Sequence, residues 1–176
     1  LFVKHCSLVQ DHIQLHFLAE TERLDMDIKK EKMQMVLSNL LSNAIKHSPA
    51  QSQVRVRLQA DAHAVRITVR DHGAGVPPAF RARLFEKFAQ ADGSDDRAHG
   101  GTGLGLHIAR LLVERMGGRI TLDTVDGPGA SFSVVFPVQD AGDDRRTGLL
   151  LVDAAASGPD LLQELAGDIV QVEHCT

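Results

Sequence analysis

The chain has 176 residues, of which 43% are hydrophobic and 24% are charged, a balance that is ordinary for a globular domain. Its formal net charge of −4, with seven Phe and neither Tyr nor Trp, argues against a basic, base-stacking nucleic-acid surface. No apolar run approaches the ~18 residues that a membrane span requires. The length predicts one full domain and part of a second. Because the chain begins with Leu1, we expect it to be a piece of a longer protein.

The first predicted elements lead into one long amphipathic helix. Residues 1–10 have the character of a helix end, residues 13–19 alternate as a strand does, and a short strand follows near 24–28. A helix is predicted over about 29–47, where a Ser-Pro pair ends it. Its apolar residues recur at the i, i+3, i+4, i+7 spacing of a core-facing stripe: Met33, Val36, Leu37, Leu40, Leu41, Ala44 and Ile45.

A pair of strands and a second helix follow. Residues 54–58 and 65–69 alternate apolar side chains with arginines, which predicts neighbouring antiparallel strands whose arginines face water. Residues 79–88 favour a short helix, whereas residues 89–102 have no periodicity and predict a loop. The second long helix is expected over about 103–116, ended by two glycines.

The last predicted elements divide the chain into domains. Residues 119–124 and 131–136 are typical of a hairpin, which completes a first domain over residues 1–137. A polar linker is predicted over 138–147. Residues 148–176 then begin a second, truncated βαβ domain, with predicted strands over 148–153 and 168–172 and a helix over 158–166 between them.

Three polar residues share one face of the first long helix. Asn39, Asn43 and Lys46 are spaced i, i+4, i+7, beside the apolar stripe. Burying an unpaired amide costs about 1–3 kcal/mol, so a partner is expected. Amide oxygens are suitable ligands for Mg²⁺, and the lysine would meet a phosphate. The alternative is a pair of ordinary hydrogen-bonded asparagines.

An acidic residue ends the second strand of the pair and opens a glycine turn. Asp71 can only accept hydrogen bonds when it is ionised, so its carboxylate would suit the exocyclic amino group of adenine. Gly73 and Gly75 would let the backbone approach a flat ligand closely. The alternative is a surface aspartate in a turn.

A third motif places glycines at the start of the second long helix. Gly101, Gly103 and Gly105 alternate where unpaired N–H groups can bind phosphate oxygens. No Gly-Lys pair occurs in the chain, so this is not a Walker A loop. Arg97 and His99 could reach phosphates from the preceding loop, or could lie in solvent.

Two phenylalanines precede that loop. Phe85 and Phe88 are spaced three residues apart in a predicted short helix, so core packing is expected for both. They would then anchor one end of the loop over residues 89–102.

These motifs together resemble the catalytic, ATP-binding domain of bacterial sensor histidine kinases, within the GHKL ATPase superfamily. Residues 39–46 match its N box, 71–75 its first glycine box, 85–88 its F box and 101–106 its second glycine box. The resemblance covers roughly residues 10–137. It implies an α+β two-layer sandwich of the Bergerat type, with helices on one face of a mixed, mostly antiparallel sheet.

The resemblance also implies a site for ATP and Mg²⁺. The implied catalytic residues are Asn39, Asn43 and Lys46, of which the two asparagines are the metal ligands. Residues 89–102 would form the ATP lid. The implied nucleotide-binding residues are Asn43, Lys46, His47, Asp71, Gly73, Gly75, Arg97, Gly101, Thr102, Gly103, Leu104 and Gly105.

One position separates the kinases from their hydrolytic relatives, which carry a Glu four residues before the magnesium-binding Asn. This chain has Asn39 there, and an amide cannot serve as the base for water attack. ATP would then be held for another nucleophile, a histidine, with the protein supplying position and charge neutralisation. His47 stands where the family usually has Tyr or Phe, so adenine stacking would have less area. The alternatives are a regulatory module that no longer transfers phosphate and a GHKL hydrolase.

The acceptor histidine must lie elsewhere, because none of the nine histidines has the family's phosphoacceptor context. The implied partners are an upstream dimerisation and histidine phosphoacceptor domain of the same protein and a response regulator or receiver domain, without nucleic acid or direct membrane contact. The parent would be a cytoplasmic homodimer, free or anchored in the inner membrane. The tail from Leu149 resembles the start of a receiver, although Asp153 is followed by Ala154 instead of a second acid. The alternative is a tail packed on the kinase domain.

Overall fold

A computed structural model describes residues 4–10, 13–19, 23–27, 29–90, 102–125, 127–138 and 149–153. Its elements in chain order are β1 (Lys4–Gln10), β2 (Ile13–Ala19), β3 (Arg23–Asp27), α1 (Lys30–His47), β4 (Gln53–Ala60), β5 (Ala64–Arg70), α2 (Pro78–Arg81), α3 (Gly105–Arg115), β6 (Arg119–Asp123), β7 (Ser131–Pro137) and β8 (Leu149–Asp153).

Six of the strands form one mixed sheet in the order β1-β2-β4-β5-β7-β6. Strands β2 and β4 are parallel, and every other neighbouring pair is antiparallel. The expectation of a mixed, mostly antiparallel sheet with helices is therefore confirmed. In the described part of the chain, no helix is long and apolar enough to cross a membrane.

The core lies between α1, α3 and one face of this sheet. Helix α1 buries the predicted stripe, and Leu40 has no exposed surface. Alternate residues of β4, β5 and β7 point to the same side, as Val54, Val69 and Phe132 show. Burying each such side chain fully contributes about 1.5–3 kcal/mol. The core thereby fixes α1 and β5, the two elements that carry the first polar motifs.

Helix α3 begins at Gly105 and ends in a Schellman motif. Gly117 has a φ of +79°, and its N–H donates to the carbonyl of Glu114 at 3.1 Å. The N–H of Gly118 donates to the carbonyl of Val113 at 2.9 Å. This pairing satisfies carbonyl groups at the helix end, so the predicted glycine stop is confirmed.

The helix predicted over 79–88 is correct only for its first turn, because α2 ends at Arg81. Beyond it, the N–H groups of Arg83 and Glu86 donate to carbonyls three residues earlier, at 3.0 and 2.9 Å. The segment is therefore a run of turns, and Phe88 adopts a left-handed φ of 60°.

The N-terminal prediction is wrong, because Lys4–Gln10 is a strand and not a helix end. It pairs antiparallel with β2, with Gln10 opposite Ile13. This pairing satisfies backbone groups on an edge of β2 that would otherwise lack partners.

The strand predicted in the tail is present as β8, but it pairs antiparallel with β3 in a separate two-stranded sheet. The strand therefore joins a segment inside the predicted first domain. The expected helix over 158–166 and strand over 168–172 lie outside the described residues. The boundaries 1–137, 138–147 and 148–176 stay a prediction.

Candidate functional site

A cavity of about 460 Å³ opens among α1, the loop after β5, the start of α3 and the start of β7. This size is within the range of small-ligand sites. Its lining residues are Asn39, Ser42, Asn43, Lys46, His47, Asp71, Ala74, Gly75, Val76, Pro77, Phe80, Leu84, Ala89, Gln90, Thr102, Gly103, Gly105, Leu106, Ala130 and Phe132.

Helix α1 lines one wall with its polar face. Asn39 and Asn43 are half-buried, whereas Lys46 and His47 are exposed. The Oδ1 of Asn39 lies 3.1 Å from the position that a Cβ on Gly105 would occupy, so the amide faces the start of α3. The described residues contain no cluster of three His, Cys, Asp or Glu side chains. A cation in this wall would therefore depend on amide oxygens, which fit a hard cation such as Mg²⁺.

Asp71 lines the cavity and is 3% exposed. Its Oδ1 accepts the N–H of Gly73 at 2.9 Å and the N–H of Ala130 at 3.0 Å. The N–H of Asp71 itself donates to the carbonyl of Ala130 at 2.9 Å. Among the described residues, no side chain or backbone group donates to Oδ2. The carboxylate is thus held by one oxygen, and the other is available to a ligand.

Three backbone segments pack closely against one another next to Asp71. A Cβ on Gly73 would lie 2.1 Å from the carbonyl oxygen of His47. A Cβ on Gly129 would lie 2.1 Å from the carbonyl oxygen of Asp71, and one on Gly75 would lie 2.8 Å from the carbonyl oxygen of Gly129. Gly129 also has a φ of +107°. Glycine is required here, because any side chain would separate the segments. Gly73 supports Asp71 from behind and does not line the cavity.

The start of α3 forms another part of the lining. Thr102, Gly103 and Gly105 line the cavity, whereas Leu104, at the N-cap position, does not. Among the described residues, no side chain caps this helix, and N–H groups at a helix start without such an acceptor suit an anion. Gly103 has a φ of +67°, and a Cβ there would lie 2.7 Å from the backbone of Phe88.

The loop before α3 is only partly described. Arg97, His99 and Gly101 lie outside the described residues, as does most of the predicted lid over 89–102. The core packing predicted for Phe85 is confirmed by an edge-on contact with Phe132, with ring centroids 6.3 Å apart.

The packing predicted for Phe88 is wrong, because its side chain is 70% exposed. The helix that would have turned it inward ends at Arg81, and the left-handed φ of 60° at Phe88 is not a helical conformation.

The sequence analysis did not predict the apolar lining residues Val76, Pro77, Phe80, Leu84 and Leu106, nor those at the start of β7. Phe132 belongs to β7 and Ala130 directly precedes that strand, about sixty positions after Asp71, and no local pattern links the two segments. The Gly-Pro-Gly turn before Ala130 was the available signal, but it suggested only a hairpin. Ser42 could have been found, since it lies three residues from Asn39 on the same helix.

Comparison with known proteins finds one matching family and relatives that are named histidine kinases. The family described as histidine kinase-, DNA gyrase B-, and HSP90-like ATPase matches residues 28–140. The circadian input-output histidine kinase CikA of Synechococcus elongatus is 40% identical over 109 residues, 62% of this chain and 14% of that protein. The sensor histidine kinase WalK of Bacillus subtilis is 31% identical over 137 residues, 77% of this chain and 22% of that protein.

Solved structures show the same likeness. The catalytic domain of histidine kinase ThkA superposes with a TM-score of 0.62 at 26% identity, covering 72% of this chain and 80% of that one. Full-length ShkA in complex with AMPPNP gives a TM-score of 0.60 at 32% identity, covering 72% of this chain and 26% of that one. The chain thus spans a small part of the curated relatives that it matches. It belongs to the histidine kinase-, DNA gyrase B-, and HSP90-like ATPase family, and its relatives place it among the ATP-binding catalytic domains of sensor histidine kinases.

Proposed function

We propose that this chain binds ATP with Mg²⁺ and positions the γ-phosphoryl group for transfer to a histidine on another domain of its parent protein. The observation that carries the proposal is that one cavity gathers residues of α1, the Asp71 loop and the start of α3. These segments are remote in the sequence, and each supplies a different part of a nucleotide site: oxygen ligands, a carboxylate acceptor and helix N–H groups.

The base would be read by Asp71. The Oδ2 of this carboxylate, which accepts no hydrogen bond from the described residues, would accept the amino hydrogen of adenine. Guanine would present a carbonyl oxygen at the same place and be repelled. The N–H of Gly73 keeps the carboxylate fixed, and Gly75 lets its segment pack closely against Gly129. His47 would cover one side of the ring from the end of α1.

The triphosphate would lie between α1 and α3. Thr102, Gly103 and Gly105 would offer backbone groups near the start of α3, together with Leu104 at the N-cap position. Lys46 would add a positive charge from α1. The assignment of Gly101 and Arg97 rests on the sequence alone.

Asn39 and Asn43 would hold Mg²⁺ by their amide oxygens, and the bound metal would neutralise part of the phosphate charge.

The same wall explains why another nucleophile than water is favoured. Among the described residues that line the cavity, Asp71 is the one carboxylate, and its Oδ1 is occupied by two backbone N–H groups. Asn39 cannot accept a proton from water at neutral pH. A neutral histidine ring attacks with its own lone pair and needs no base, so positioning and charge neutralisation suffice.

The parent protein would supply the rest of the reaction. We propose an upstream dimerisation domain that carries the acceptor histidine, a homodimeric parent located in the cytoplasm or anchored in the inner membrane, and a response regulator or receiver domain as the next phosphate acceptor. One relative is named hybrid signal transduction histidine kinase D, from Dictyostelium discoideum. The proposal that the tail after residue 148 begins a receiver rests on the sequence alone.

The test has two steps. Titration calorimetry with AMPPNP, in the presence of Mg²⁺ and again with excess chelator, should show binding that weakens when the metal is removed. The chain should then transfer labelled γ-phosphate from ATP to the separately supplied dimerisation domain of its parent, with little turnover in the absence of that domain. Binding without transfer, or steady ATP hydrolysis by the chain alone, would contradict the proposed kinase function.

A further inference from the structure

The segment over residues 82–90, which we call the turn segment, lines the cavity although it belongs to no helix or strand. It contributes Leu84, Ala89 and Gln90 to the lining. The backbone N–H groups of Glu86 and Ala89 donate to carbonyls three residues earlier, within the segment itself. Such local turns do not fix the segment relative to α3, so other contacts must hold it there.

A histidine on α3 supplies one of these contacts. His107 is half-buried in the first turn of α3, two residues after Gly105. Its ring Nδ1 lies 2.9 Å from the backbone carbonyl oxygen of Phe85. Because a carbonyl oxygen can only accept, the ring proton belongs on Nδ1, which donates to Phe85. The bond therefore ties the middle of the turn segment to the start of α3.

The backbones of the two segments also meet a few residues away. A Cβ on Gly103 would lie 2.7 Å from the carbonyl carbon of Phe88 and 2.9 Å from the carbonyl oxygen of Ala89. On its other side, the ring of Phe85 packs edge-on against Phe132 of β7, which lines the cavity. The turn segment is thus held between β7 and the start of α3.

The second ring nitrogen indicates that His107 does more than stabilise the fold. Its Nε2 is buried and has no hydrogen-bond partner among the described residues. Burying an unpaired polar atom costs free energy, and a cost of this kind is characteristic of side chains that serve a site. An apolar residue would avoid the cost but would lose the hydrogen bond to Phe85.

We infer that His107 is a positioning residue for the nucleotide, a role that rests on the proposed function. Its side chain does not line the cavity. By tying the turn segment to α3, it fixes Leu84 and Ala89 relative to Gly103 and Gly105, whose backbone groups we assign to the triphosphate. Loss of the bond would leave this spacing to the remaining contacts, so the triphosphate would meet a less ordered site.

The test compares His107→Leu, which cannot donate, with His107→Asn, whose Nδ2 takes nearly the place of the ring Nδ1. Titration calorimetry with AMPPNP and Mg²⁺ should show an affinity loss of roughly three- to tenfold for the leucine variant, as for one neutral hydrogen bond, and within about twofold for the asparagine variant. Adenosine, which has no phosphate to meet Gly103, should bind the wild type and both variants equally. A loss of global stability would not separate the two ligands in this way.

The matched control is Thr68→Val, which removes a hydrogen bond on the side of β5 that faces away from the core. The Thr68 hydroxyl lies 3.1 Å from that of Ser133, and Thr68 does not line the cavity. This variant should have a lower thermal midpoint and wild-type affinity for AMPPNP.

Three results would overturn the inference: wild-type AMPPNP affinity in the folded His107→Leu variant, an asparagine variant as weak as the leucine variant, or equal losses for AMPPNP and adenosine. If the wild-type chain bound no AMPPNP, the proposed function would fail and the inference with it, a result distinct from any difference among the variants.

Discussion

The substitution Asp71→Asn separates the role of this carboxylate in the fold from its proposed role toward adenine. In the folded chain, Oδ1 accepts two backbone N–H groups, from Gly73 and Ala130. An asparagine must keep its own Oδ1 in that place, because its NH₂ group would face two donors. The NH₂ group must then replace Oδ2, the atom that we assign to the base. The variant therefore presents a donor where the wild type presents an acceptor.

The magnitude follows from this exchange. A hydrogen bond to a charged group contributes about 1.5–3 kcal/mol, which corresponds to roughly a 10- to 150-fold change in affinity. The affinity of the variant for ATP should fall by at least this factor, since the amino group of adenine would now face another donor. Inosine triphosphate, which carries a carbonyl oxygen in place of the amino group, should bind the variant as well as or better than it binds the wild type. The fold should persist, because both backbone N–H groups keep an acceptor.

The assay is titration calorimetry with both triphosphates, alongside thermal unfolding of wild type and variant. Asp71→Ala serves as the comparison, because it leaves two buried N–H groups without an acceptor and should lower stability as well as ATP affinity. Unchanged ATP affinity in a folded Asp71→Asn variant would refute the assignment of the base to Oδ2. Equal losses for ATP and inosine triphosphate would show that the residue acts through the fold alone.

Two further outcomes are expected. Gly129→Ala should lower the affinity for AMPPNP at least tenfold and lower the thermal midpoint. The new Cβ would lie 2.1 Å from the carbonyl oxygen of Asp71, and the φ of Gly129 is +107°. A variant with wild-type affinity would contradict the proposed need for glycine at this position. Hydrogen bonds from the backbone N–H groups of His63 and Ala64 lower the pKa of Asp61, so the charged form of Asp61 stabilises the fold at neutral pH. That contribution should disappear as the pH falls through the depressed pKa. The free energy of unfolding in urea should therefore differ between Asp61→Asn and the wild type at neutral pH and become equal in strong acid. A difference that stays constant with pH would show that the charge of Asp61 is not its cause.

The sequence by itself determined the elements whose signals are local. The stripe of α1, the alternation of β4 and β5 and the glycine stop of α3 each occupy adjacent residues, and periodicity reports burial directly. The sequence also singled out Asn39, Asn43 and Asp71 from the chemistry of their amide and carboxylate groups, and the three residues line one cavity; their roles toward ATP stay a prediction.

Only the tertiary structure decided which segments meet. The strand at Lys4–Gln10 depends on a free edge of β2, and the pairing of β8 with β3 joins segments far apart in the chain. Ala130 lies beside Asp71 because β7 pairs with β5. This pairing is stabilised by the burial of both whole strands, and no single residue close to Ala130 or Asp71 determines it. Local propensity cannot encode such a choice, because the free energy that selects a partner belongs to the whole packed sheet.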